Sequence, residues 1–224
     1  PINFIFSSSC TVYGQADSMP INESFPLKKA ESPYGESKKM CEEILKKLNN
    51  SNHSFKNITL RYFNPIGAHP TGLIGELPIG NPENLVPYIT QTAIGKRDFL
   101  SVFGDNYKTK DGTCIRDYIN IMDLAEVHIA CLEKLIAVED ENFFKIYNVG
   151  TGKGTSVFEL INLFENVNDI KLNYKIGDRR KGDVISAYAD TTKIKEELSW
   201  STKYSLENAL KSAWNWELNL NKDE

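Results

Sequence analysis

The chain opens on PINFIFSSS, and the strongly apolar stretch from Ile2 to Phe6 restricts its possible folds more than any other feature. Such a stretch reads as a strand buried on both faces, the pattern of a parallel sheet. Parallel strands need partners delivered by crossover units, and none precedes this one. The chain therefore reads as the later part of a longer α/β protein whose N-terminal part is missing. Without that part, this 224-residue piece is expected to be inactive.

The remainder alternates strands with helices, which gives an α/β class. Ser32-Pro33 supplies the N-cap and first position of a helix to about Leu48, with Met40, Ile44, Leu45 and Leu48 on one face. NITLRYFN, from Asn57 to Asn64, is the next strand. The glycines and prolines of PIGAHPTGLIGELPIGNPENL forbid regular structure beyond it, and so long an irregular stretch signals function or disorder. Asn84 caps a helix through Ile94. FLSVFG and CIRDYINI read as strands, followed by a helix from Asp123 to Leu135. KIYNVG is a strand, and Ser156 with Glu159 forms a capping box for a helix to about Glu165. KLNYKIG, ISAYAD and helices from Thr191 and Ser205 complete the chain.

With 41% hydrophobic and 25% charged residues, the chain can bury the core of one or two globular domains. A formal net charge of −4 offers no basic face to nucleic acid. No apolar run approaches the roughly 18 residues that span a membrane, and no basic-then-apolar leader opens the chain. Cys10, Cys41, Cys114 and Cys131 contain no C-x-x-C pair and fit reduced thiols. His53, His69 and His128 lie far apart, so no metal is expected. These features read as a cytoplasmic protein with neither nucleic-acid nor membrane partners.

GTGKG, from Gly150 to Gly154, follows a strand and precedes a helix, and so imitates a dinucleotide-binding loop. Its spacing is G-x-G-x-G, not G-x-G-x-x-G, and no acidic residue closes a second strand about twenty residues on. A plain turn before a capped helix accounts for the glycines.

SPYGESKK carries the one tyrosine in the chain with a lysine four residues later, Tyr34 and Lys38. Residues four apart share a helix face, so phenol and ammonium project into the same space. A phenol is almost wholly neutral at pH 7. A unit positive charge at roughly 6.5 Å contributes about 2.5 kcal/mol toward the phenolate at an effective dielectric of about 20. With a second fixed cation nearby, a phenol can act as a base toward an alcohol and later as an acid. An exposed amphipathic helix also yields this pattern, so the pair alone leaves both roles open. Ser9, twenty-five residues earlier, ends the first strand, where ligands sit in open α/β sheets. Its hydroxyl can bond a substrate oxygen or simply cap the strand end.

FSSSCTVYG, SPYGESK, LRYFNPIGAHPTGLIGE, NLVPYITQTAIGKRD, VFGDNYKTKDGTCIRDYINIMDLAEVH, YNVGTGKGTSV and RRKGDV together resemble the extended short-chain dehydrogenase/reductases, and within them the UDP-glucose 4-epimerases. The resemblance runs from Asn3 to about Trp216. Asn120 stands where histidine is usual, Ser199 where glycine is usual and Cys10 where alanine is usual. The large departure is the absent glycine-rich loop that holds the adenosine diphosphate of NAD.

This resemblance implies the C-terminal part of a Rossmann-type parallel-sheet domain in residues 1–66 and a smaller mixed α/β substrate domain in 67–224. Residues of about 115–150 would pack back on the first domain. It implies a bound NAD, a UDP-sugar substrate and a homodimer in full length. Tyr34 would be the acid–base group, Lys38 would hold the nicotinamide ribose, Ser9 the sugar 4-oxygen, and Phe63 would line the nicotinamide pocket. Asn64 would reach the diphosphate or the sugar and Asn84 a phosphate, while Arg116 and Arg180 would clamp the diphosphate, since guanidinium pairs two oxygens at once. Asp183 would meet the nucleoside ribose, and the backbone of Ser101, Val102 and Phe103 the uracil. Ala187 would border the sugar beside C2, where a small side chain leaves room for the N-acetylhexosamine pair. By themselves, Asn64 also reads as a turn initiator before Pro65, Asn84 as a plain N-cap, and the arginines as solvated surface. The rival functions are a nucleotide-sugar dehydratase, a uronate 4-epimerase and a non-catalytic binding protein on the same fold. Dehydratases typically carry an acidic residue after a threonine where this chain has Ser9-Cys10-Thr11, and an intact Ser9, Tyr34 and Lys38 set argues against the non-catalytic protein.

Overall fold

The structure, a computed structural model, describes residues 2–51 and 54–222; His53 lies outside the described residues. β1 (Ile2–Ser9) runs into a 3₁₀ turn (Cys10–Tyr13), a loop, and α1 (Pro33–Ser51). β2 (Phe55–Tyr62), β3 (Asn64–Ile66), α2 (Leu85–Ala93) and β4 (Leu100–Phe103) follow. β5 (Ile115–Arg116), β6 (Tyr118–Asn120), α3 (Ile121–Ala137) and β7 (Phe143–Val149) come next. β8 (Thr155–Ser156), α4 (Val157–Asn168), β9 (Tyr174–Gly177), β10 (Ser186–Ala187), α5 (Thr192–Leu198) and α6 (Leu206–Leu220) end the chain.

β1, β2 and β7 form a parallel sheet with β2 in the middle. Alternation along β2 sorts its side chains by face. Ile58 and Leu60 pack with Leu124, Val127, Cys131 and Leu135 of α3, whereas Arg61 points to α1. A second core gathers α2, α4 and α6 around Ile89, Leu160, Phe164 and Leu210. A third, smaller one joins Val12, Tyr13, Ile21, Phe63, Ala187 and Ala189.

Four expectations change. β1 forms and pairs in parallel, but it is the sheet's edge among the described residues, so Ile2 and Phe4 are exposed rather than buried. The apolar stripe of α1 also faces outward: Met40, Ile44 and Leu48 are exposed, and the side turned to the sheet carries Gly35, Glu42 and Asn49. CIRDYINI is not one strand, because β5 joins β8 and β10 while β6 pairs β3. The break falls at Asp117, whose carboxylate is captured from outside the strand. The boundaries of the second strand also shift, since Phe63 interrupts the ladder between β2 and β3. No described helix is long and apolar enough to cross a membrane.

The irregular stretch after β3 is tied to α6. Trp216 Nε1 donates to the Glu76 carbonyl at 2.9 Å, and Asn219 donates to that of Gly72 at 2.9 Å. Asn120 closes β6 and caps α3, its Oδ1 accepting from the Met122 amide at 2.9 Å.

Candidate active site

A cleft of about 700 Å³ opens at the carboxyl ends of β1 and β2. Ser9, Tyr34 and Phe63 line its wall, as do Asn64, Asn84, Arg116, Arg180, Asp183 and Ala187. A smaller hollow of about 140 Å³ shares Asn64, Asn84, Arg116, Arg180 and Asp183 and adds Ser101, Val102 and Phe103. Lys38 alone among the expected residues lines neither.

Ser9 ends β1 and caps the 3₁₀ turn, its hydroxyl oxygen accepting from the Thr11 amide at 3.2 Å and the Thr11 hydroxyl at 3.0 Å. The turn-capping role is therefore present, and Ser9 also lines the cleft. Tyr34 sits in the first turn of α1, where Ser32 Oγ accepts from the Gly35 amide at 3.1 Å. Its side chain is 55% exposed, open to a ligand in the cleft. Lys38 stands behind it, one turn on. Its Nζ donates to the Ser7 carbonyl at 2.9 Å and lies 5.6 Å from the Tyr34 ring centroid. Gly35 permits the close approach of helix and strand end. A Cβ there would lie 3.1 Å from the Thr11 carbonyl oxygen and 3.1 Å from the Ala30 Cβ.

The same wall carries the cations. Arg116 belongs to β5, and its NH1 donates to the Ile115 carbonyl at 2.9 Å. Arg180 stacks over the Phe103 ring at 4.6 Å and donates to Asp183 at 3.3 Å. Along β4, Leu100 and Val102 enter the core while Ser101 and Phe103 stay exposed. Asn84 precedes α2 but makes no side-chain cap; its amide donates to Glu76 at 2.8 Å. Asn64 begins β3 instead of a turn, its N–H donating to the Asp117 carbonyl at 2.9 Å. Burial pushes the Cys10 thiol up to about 12 despite nearby Arg116, so this wall residue stays protonated.

Thr11, Tyr62, Glu83 and Lys181 also line the cleft and were not singled out from the sequence. Each lies within two residues of an expected site residue, which was the one signal available. Tyr62 bonds the Ser7 hydroxyl at 2.8 Å and lies 2.6 Å from His128 Nε2, and burial pushes its phenol up.

The GTGKG turn is occupied by the protein itself. Asp117, fully buried, accepts from the Thr151 amide and hydroxyl at 2.8 and 2.6 Å. It also accepts from the amides of Gly152 and Ala189 at 3.0 and 3.1 Å. A Cβ on Gly150 would meet its Oδ2 at 2.4 Å. Burial pushes the Asp117 carboxyl up, and these donors offset only part of that.

A parallel sheet with a Tyr-x-x-x-Lys helix beside a strand-end serine defines the short-chain dehydrogenase/reductase class. The family model described as GDP-mannose 4,6 dehydratase matches residues 1–213, and the chain belongs to that family. The chain is 49% identical over 215 residues to a UDP-glucose 4-epimerase of Pasteurella multocida, covering 96% of this chain and 63% of that protein. The crystal structure of UDP-glucose-4-epimerase from Stenotrophomonas maltophila with bound NAD and formylated UDP-arabinopyranose is similar, with a TM-score of 0.94 at 40% identity. That match covers 99% of this chain and 65% of the other. The UDP-Glc/GlcNAc 4-epimerase of Campylobacter jejuni gives a TM-score of 0.77 at 38% identity over 97% of this chain and 64% of its own. The chain thus spans less than two thirds of these relatives.

Proposed function

We propose that the full-length parent is an NAD-dependent 4-epimerase of UDP-glucose and UDP-galactose, acting through a 4-keto sugar and also accepting the N-acetylhexosamine pair. The observation that carries this reading is convergence. Ser9, Tyr34, Asn64, Asn84, Arg116, Arg180, Asp183 and Ala187 come from separate segments and meet at one cleft. Family membership alone does not choose the reaction, but Ser9-Cys10-Thr11 carries no carboxylate of the kind a dehydratase uses there.

The residues present fit the nicotinamide end of the cofactor. Lys38 Nζ has a protein acceptor in Ser7 and further donors for a ribose, while Ser9, Tyr34 and Phe63 share a wall. Bound NAD would supply a two-electron acceptor and donor for C4 of the sugar. Tyr34 takes the proton of the 4-hydroxyl and later returns it. Ser9 holds the 4-oxygen. Arg116 and Arg180, with the amides of Asn64 and Asn84, keep the diphosphate fixed while the sugar turns over. Asp183 takes the nucleoside ribose, and the main chain of Ser101–Phe103 the uracil. We assign residues 1–66, with about 115–150, to the NAD side and the remainder mainly to the UDP-sugar side, in a cytoplasmic homodimer that covers the exposed α1 stripe.

Tyr34→Phe in the parent should lower turnover by about 10² to 10⁴, the usual effect of losing an acid–base group, with UDP-sugar binding retained. Near-normal turnover in a coupled assay of UDP-galactose conversion would show that Tyr34 is not the base.

A further inference from the structure

Tyr34, Lys38 and Glu42 follow one another at four-residue intervals and share one face of α1. Beyond Lys38 and its bond to Ser7, Glu42 accepts a hydrogen bond from the Ser8 hydroxyl. Glu42 is 4% exposed, and Arg61 of β2 is 3% exposed. Arg61 Nε donates to the two Glu42 oxygens at 3.0 and 3.3 Å, and NH2 donates at 2.6 Å. Its NH1 donates to the Tyr13 phenol at 2.8 Å. Tyr13 in turn donates to Asn148 Oδ1 at 2.7 Å, and Asn148 donates to the Ile21 carbonyl at 2.8 Å. The line therefore grips the Ser9 segment on both sides, at Ser8 before it and Tyr13 after it.

Burial pulls the Arg61 guanidinium down, but Glu42 and Tyr13 more than offset this and keep it charged. The Tyr13 phenol is pushed up to about 12 by burial, against the pull of Arg61, and so remains a donor. A buried ion pair of this kind adds little stability over an apolar replacement, because desolvation offsets the Coulomb gain. Neither Glu42 nor Arg61 lines the cleft.

We infer that Glu42 and Arg61 are positioning residues, which lock the Tyr34 helix and the Ser9 strand end in one register so that both hydroxyls meet the same substrate oxygen. The inference rests on the epimerase reading above. In the full-length parent, Glu42→Gln leaves Arg61 without its counter-charge, whereas Glu42→Gln with Arg61→Met removes both charges together. The double variant should regain most of the thermal stability lost in the single one. Its kcat should stay at least about tenfold low, with KM for UDP-glucose within about twofold of the parent's, since small misplacements cost turnover before binding. A kcat that recovers in step with the thermal midpoint, or a loss confined to KM, would overturn the inference. If the double variant does not fold, Tyr13→Phe carries the comparison: kcat about threefold low at unchanged KM supports the inference, and unchanged kcat overturns it. A parent without epimerase turnover would instead overturn the reaction assigned above. Amide exchange then decides the anchor, faster exchange across Ser8–Tyr13 in Glu42→Gln supporting it and unchanged exchange overturning it.

Discussion

Replacing Asp117 by asparagine exchanges an acceptor oxygen for a donor amide at a point where four donors converge. The new NH₂ has one tolerable orientation. Facing Gly152 and Ala189 it would meet two amide donors; facing Thr151 it meets an amide and a hydroxyl, and the hydroxyl can turn to accept. One buried N–H, that of Thr151, is then left without an acceptor, which costs about 1–3 kcal/mol. Burial already pushes the Asp117 carboxyl up, so removing the charge relieves part of this loss and places the expectation in the lower half of that range. Thermal unfolding of the parent and the Asp117→Asn variant, followed by circular dichroism, should show a midpoint several degrees lower in the variant. Combining the change with Thr151→Val should cost less than the sum of the two, because both act on one contact. An Asp117→Asn protein as stable as the parent, or strict additivity with Thr151→Val, would refute the account of the turn.

Ala187, buried at the cleft wall, leaves space that a tyrosine ring would fill, and overpacking of this kind costs about 1–3 kcal/mol. Ala187→Tyr should abolish conversion of UDP-N-acetylglucosamine while sparing UDP-glucose; equal loss of both, in parallel kinetic assays, would refute the pocket assignment. Ser199 ends α5 at φ 52, a conformation that favours glycine, so Ser199→Gly should stabilise the protein by about 1 kcal/mol in denaturant titration. No gain there would mean that the serine side chain supports the turn. The 224-residue chain alone should associate through the β1 edge and the exposed Ile2, Phe4, Met40 and Ile44, visible in light scattering. A monodisperse monomer with micromolar NAD affinity in calorimetry would contradict this.

What the sequence revealed, it revealed through local chemistry. The Ser156–Glu159 capping box, the Ser32-Pro33 helix start and the strand before Ser9 depend on neighbours in the chain, and each appears where expected. Periodicity showed that α1 is amphipathic but not which side would be covered. The covered side holds Glu42, a charged residue that reads as surface until Arg61 arrives from β2. CIRDYINI reads as continuous because nothing local reveals that Thr151 and Ala189 will capture Asp117. At the site, motif resemblance named residues that the fold brings to one cleft, but it could not show Lys38 standing behind Tyr34 instead of in the wall.

Gly35 carries a warning for anyone wishing to make this protein sturdier. In a helix, glycine is about 0.5–1 kcal/mol worse than alanine. A stabilisation campaign guided by helix propensity would therefore replace it early. The added methyl would press on the Thr11 carbonyl and the Ala30 side chain, each 3.1 Å away, and these neighbours or the first turn of α1 would have to give by a few tenths of an ångström. Tyr34 rides on that turn. Any of that give taken up by the helix would move the phenol at the cleft wall, so the weak residue is the one to leave alone.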